Sequence, residues 1–139
     1  MNRWLDMETT AAQHYVHPVR RSLVRKFRTA FRGLRRGIRG ESNFFVHLFI
    51  AAVAVAMAAV FRLSLVEWCL LVGCITAVFA AEMFNTALES LAKAITREHD
   101  PRIGDGLDFA SAAVLITAIG AVIVGLLIFL PRLLPLAGF

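Results

Sequence analysis

Cysteine is scarce here: two residues in a chain of 139, Cys69 and Cys74, both inside one apolar run. Five positions apart on a helix they point in different directions, so no mutual disulfide is expected and both read as packing or lipid-facing residues. The opening segment MNRWLDMETTAAQHYVHP has no apolar h-region, and nothing in it resembles a cleavable signal peptide. It reads as a flexible cytoplasmic tail over residues 1–18, ended by Pro18. His14 and His17 within it lack any further ligand spacing and suggest no metal site. Also missing are G-x-x-x-x-G-K-[ST], G-x-G-x-x-G and the protein-kinase signature set, so the soluble nucleotide-binding folds built on them are excluded. Acidic residues are absent from Arg20 to Arg39, and charge of either sign is absent from Phe109 to Leu130.

What remains is apolar and segregated. Hydrophobic residues make up 58% of the chain, against 18% charged, and the mean hydropathy is +0.68. That balance points to one all-α integral membrane domain, residues 19–135, rather than a soluble one. Three apolar segments, 44–61, 66–91 and 109–130, are each long enough to cross a hydrocarbon core of about 30 Å. Ahead of them, residues 20–39 carry nine Lys or Arg. Leu23, Phe27, Phe31, Leu34 and Ile38 recur there at helical spacing, with arginines filling most of the remainder. This predicts a basic amphipathic helix lying in the headgroup layer against anionic lipids. Nucleic acid is the competing partner for a basic stretch, and the membrane segments that follow argue against it. The basic block keeps the N-terminus cytoplasmic. A multi-pass topology follows, with RLSLVE outside, the polar connection from Thr96 to Gly106 inside and the C-terminus outside.

The second segment ends in AAEMFNTALESLAKAI. At about 100° per residue, Glu82, Asn85, Glu89 and Lys93 fall within an arc of roughly 80°. Charges at membrane depth are costly, about 2.5–3.5 kcal/mol each at a helix centre, and mark function. Ion pairing that merely joins helices is one explanation, but the carboxylates outnumber the local cations. Glu41, which precedes the first span, and Asp108, placed at the head of the third, fall at the same cytoplasmic end. Clustered hard oxygen donors of this kind suit Mg²⁺ alongside substrate phosphates. A small transport protein would also carry intramembrane acids, though along a path rather than at one end.

EMFNTALE resembles the E-x-x-N-[ST]-A-[IL]-E signature of the prokaryotic diacylglycerol and undecaprenol kinases. FRTAFRGLRRGIRGESNFFVHLFIAA is similar to the N-terminal segment of that family, and LDFASAAVLITAIGAVIVGLLIFLP to its third helix. SNFFVHL looks closer to the undecaprenol-kinase branch. The resemblance covers about residues 24 to 133. It implies a homotrimer in the bacterial cytoplasmic membrane, moving the γ-phosphate of Mg-ATP to a lipid hydroxyl. By position it implies Glu41 and Glu89 as metal ligands, and Glu82 as the general base toward the lipid alcohol. Asn85, Glu89, Glu98 and Asp108 would contact the nucleotide, while Asn43, His47 and Ser111 would lie on the lipid side.

The chain departs from the family pattern where a lysine usually precedes Asp108: the residue is Leu107. It also has Lys93 where an aspartate is usual, and His99 is displaced relative to Glu98. Two readings follow. Either Lys93 takes over as the phosphate-facing cation, or the chain is a weakened or inactive relative that binds lipid or nucleotide without turnover.

Overall fold

The computed structural model describes residues 22–40, 42–96, 98 and 100–137, and what it describes is helical apart from short connections. The expected tail, Glu41 and His99 lie outside those residues. The described residues form two units that meet in sequence between Arg32 and Gly33.

Helix α1 spans Leu23–Gly40 and crosses that division. Ser22 Oγ accepts a hydrogen bond from the Arg25 amide, which satisfies one of the donors a helix start leaves unpaired. In the first unit Leu23, Phe27 and Phe31 share one face and are all at least 70% exposed. An apolar stripe opposite arginines therefore stands uncovered by protein.

The second unit holds the rest of α1 and three further helices. Helix α2 runs over Ser42–Val60, α3 over Leu65–Ile95 and α4 over Pro101–Leu133, followed by a short 3₁₀ turn, Leu134–Ala137. Helices α3 and α4 have 31 and 33 residues, or roughly 45–50 Å of helix, enough to cross a bilayer. The apolar part of α2, Phe44–Val60, is shorter. Most large apolar side chains along all three point outward, as expected where lipid or another chain is the solvent.

The local signals that end each helix are explicit. Helix α2 stops where Arg62 enters the left-handed region, with φ of 49°. The Leu63 amide reaches back to the Ala58 carbonyl at 3.1 Å and the Arg62 amide to that of Ala59 at 3.3 Å. This is the Schellman closure, built here without the usual glycine. Two residues on, Ser64 and Glu67 form a reciprocal capping box that starts α3. At the other end Asp100 caps α4 by accepting from the Arg102 amide at 2.8 Å, and Pro101 takes the first helical position. Helix α4 therefore begins at Pro101, not near Asp108. The polar connection expected from Thr96 to Gly106 shrinks to residues 96–100, and Asp108 sits in the third turn of the helix.

The well-packed region lies at the α2–α3 turn. Ala58, Leu63, Leu71, Ile128 and Phe129 form its buried centre, with Met57, Phe61 and Trp68 against it. Arg132 on α4 makes a two-toothed ion pair with Glu67 on α3, at 2.8 and 3.0 Å, closing the same end. Toward the far end of α3 packing loosens, apart from Phe44 stacked on Phe79 and Gly37 set against Met83. A Cβ at Gly37 would overlap the Met83 sulfur, so glycine is what admits this approach. The loosened end is where the polar residues of α3 lie.

Candidate active site

Helix α3 presents the polar stripe, and its neighbours divide it into two groups. Nearer the helix centre, Glu82 is only 4% exposed, the one buried charged residue among those described. A carboxylate cannot be withdrawn from water without a partner. His47 on α2 supplies one, with Nε2 at 3.0 Å from Glu82 Oε1.

One turn along, Asn85 links three side chains. Its amide nitrogen donates to Glu89 Oε1 at 3.0 Å, and its amide oxygen accepts from Ser111 Oγ on α4 at 3.4 Å. Lys93 Nζ lies 3.4 Å from the other oxygen of Glu89, an i,i+4 pair on an exposed surface. The result is two polar groups along one face of α3, the buried Glu82 with His47 and the linked Ser111, Asn85, Glu89 and exposed Lys93.

Two hollows meet at His47. An open hollow of about 320 Å³ is lined on its polar side by His47, Glu82, Asn85 and Ser111, and flanked by Val46, Val114, Leu115 and Ala118. A larger apolar groove of about 460 Å³ passes between α2, α3 and α4, from Phe49 and Ile50 to Leu130 and Leu133. His47 and Ala118 line both. A polar chamber opening beside an apolar trough matches the two ends of an amphiphile.

Of the residues singled out in the sequence, His47, Glu82, Asn85, Glu89, Lys93 and Ser111 are brought together. Asp108 and Glu98 are not: both are exposed, and neither side chain hydrogen-bonds to a described residue. Asn43 lies in the first turn of α2, but its side chain is outside the described set, as is all of Glu41. Among the described residues no three His, Cys, Asp or Glu side chains converge as a metal site. The chamber walls Val46, Val114, Leu115 and Ala118 escape a reading of motifs because they are ordinary apolar residues of spanning segments. The pairing of His47 with Glu82 had one available signal. His47 is the lone polar interruption of the first apolar run, and Glu82 opens the stripe on the next helix, joined to the first by a short turn.

Comparison with known proteins places the chain in a family. The family model described as prokaryotic diacylglycerol kinase matches residues 28–129, a span that contains every lining residue of the chamber. The chain is 36% identical over 109 residues to an undecaprenol kinase of Bacillus subtilis (strain 168), covering 78% of this chain and 89% of that one. It is 32% identical over 116 residues to a diacylglycerol kinase of a Synechocystis species, covering 83% of this chain and 66% of the relative. The signature on α3, the chamber it faces and the match across most of its length agree: the chain belongs to the prokaryotic diacylglycerol kinase family and is a membrane lipid kinase.

Proposed function

We propose that the protein transfers the γ-phosphate of ATP to the hydroxyl of a membrane lipid alcohol, diacylglycerol or undecaprenol, with Mg²⁺ as cofactor. The observation that carries this reading is the junction at His47, where the polar chamber holding Glu82 meets the apolar groove. A lipid alcohol seated there has its hydrocarbon in the groove and its hydroxyl beside a carboxylate.

Phosphoryl transfer depends on positioning and charge stabilisation more than on covalent chemistry from the protein. Glu82 is the proposed general base. It takes the proton of the lipid hydroxyl as that oxygen forms its bond to the γ-phosphorus and the bond to the departing diphosphate breaks. The exposed end of the stripe, Asn85, Glu89 and Lys93, is the proposed nucleotide side.

The Glu89 carboxylate is a hard oxygen donor of the kind a divalent cation takes, here facing the Asn85 amide nitrogen and Lys93. Glu89, together with Glu41, is proposed to hold Mg²⁺, which when bound neutralises phosphate charge. Asp108 and Glu98 are proposed nucleotide contacts from the head of α4 and its connection, and Asn43 and Ser111 lie on the lipid side. Three spans, a cytoplasmic N-terminus, a basic α1 on anionic headgroups and a homotrimer complete the proposal.

The test is transfer of labelled phosphate from ATP to a panel of lipid alcohols in detergent micelles. Mg²⁺-dependent transfer to diacylglycerol or undecaprenol is expected. Absence of transfer to any of them by folded protein rejects the reading.

A further inference from the structure

We propose that His47 is the positioning residue of the transfer step: its imidazole, with Nε2 at 3.0 Å from Oε1 of Glu82, holds that oxygen and thereby turns the second carboxylate oxygen toward the substrate hydroxyl. This rests on the assignment of Glu82 as general base and adds to it a residue acting through Glu82 rather than on the lipid.

Three observations carry it. Glu82 is almost wholly withdrawn from solvent, and among the described residues His47 is its one side-chain partner, at 3.0 Å. Neither carboxylate oxygen is sealed away without a partner, and Glu82 lines the chamber, so the oxygen that His47 does not touch is the one left to face the substrate. His47 itself reaches across from α2, a different helix, so it can fix the carboxylate against rotation as no neighbour on α3 does. The other charged groups described on these helices in the second unit are Glu67, Glu89 and Lys93 on α3, Arg102, Asp105, Asp108 and Arg132 on α4, and Arg35 and Arg36 on α1. None of them forms a hydrogen bond or ion pair with His47 or Glu82.

A carboxylate that must accept a proton in one direction gains from having its other oxygen held, because misorientation of a base costs rate directly. In the step itself the proton leaves the lipid oxygen for Oε2, and the electron pair of the broken O–H bond forms the new O–P bond. The electron pair of the broken P–O bond departs with the diphosphate. His47 keeps its contact with Oε1 throughout and changes no bond of its own.

Two substitutions separate this role from simple packing. Glutamine places its amide nitrogen the same number of bonds from Cβ as Nε2 of histidine, whereas asparagine stops one bond short. His47→Asn is expected to lower kcat about 10²-fold while leaving the KM for ATP within twofold of the parent. His47→Gln is expected to be at least fivefold faster than His47→Asn. In a Glu82→Gln background, His47→Asn should cost little further, since the group it positions is gone.

Equal rates for the asparagine and glutamine variants overturn the proposal, as does a full additive loss in the double variant. Glu82→Gln on its own tests the underlying assignment. Should it retain parental activity, the general-base reading falls. Should it be inactive while His47→Asn matches the parent, only the positioning role falls. Both histidine substitutions are polar and smaller than or equal to the original. If the asparagine variant nonetheless does not fold, the glutamine variant decides the matter: a 10²-fold loss of kcat in it rejects the positioning role.

Discussion

Lys93 shows how little a close contact says about purpose at the scale of one residue. Its side chain is 74% exposed, and its pair with Glu89 is a surface i,i+4 contact, worth at most a few tenths of a kcal/mol. Stability gives only a small further reason for a lysine here, its place in the last turn of α3 suiting the helix dipole by well under about 1 kcal/mol at an exposed site. Its location gives another: it ends the polar stripe that begins at Glu82, on the side proposed for the nucleotide. Lys93→Met should leave the unfolding temperature nearly unchanged and raise the KM for ATP about tenfold, a loss of roughly 1.4 kcal/mol in binding. Steady-state assays at varied ATP check it, and an unaltered KM removes Lys93 from the site. Glu89 differs, because both its oxygens are engaged, by Asn85 and by Lys93. Glu89→Gln retains an oxygen for Asn85 but loses the charge. It should lower kcat at least 10²-fold and shift the Mg²⁺ activation curve to higher concentration, read by titrating the metal at fixed ATP.

At the scale of elements, the helix ends were written in the sequence more plainly than the site was. Asp100-Pro101 is an N-cap followed by the favoured first residue of a helix, and Ser64 with Glu67 three residues later is a capping box. Hydropathy alone places the third apolar run at Phe109 because it reads the membrane-sized segment, whereas capping reads the helix. The stripe on α3 was legible because helical period is a local property. Its division into Glu82 with His47 and Asn85 with Ser111 was not, since contacts between helices depend on packing that no single segment encodes. The exposed positions of Asp108 and Glu98 belong to the same class. The turn between α2 and α3 offers a test of local reading. Arg62 holds the left-handed position that glycine ordinarily fills, at a steric cost of about 1 kcal/mol. Arg62→Gly loses some of that gain to a more flexible unfolded chain, so a net stabilisation of about 0.5 kcal/mol is expected. Arg62→Val should destabilise, because a β-branched side chain fits that conformation worst. Unfolding in detergent micelles ranks the three.

At the scale of the whole second unit, the structure is polarised. One end of the second unit is sealed by the apolar cluster around Leu63 and Phe129 and by the Glu67–Arg132 pair, while the other opens into the chamber. The groove joins them, running beside His47 at the chamber and reaching Leu133 at the sealed end. If the groove takes the hydrocarbon of the lipid alcohol, obstruction well away from the chamber must affect lipid binding and nothing else. Gly125 allows this to be tried cleanly. It lines the groove, yet a Cβ added there meets no protein atom within 4 Å, so a larger side chain enters open space rather than displacing packed neighbours. Gly125→Leu should therefore fold at least as well as the parent, since leucine favours helix over glycine by nearly 1 kcal/mol. The KM for the lipid alcohol should rise about tenfold, with the KM for ATP unchanged. The penalty should shrink for analogues whose chains are too short to reach Gly125. A lipid KM that does not move, for long and short chains alike, would mean that the hydrocarbon lies elsewhere and that another copy of the chain covers the groove.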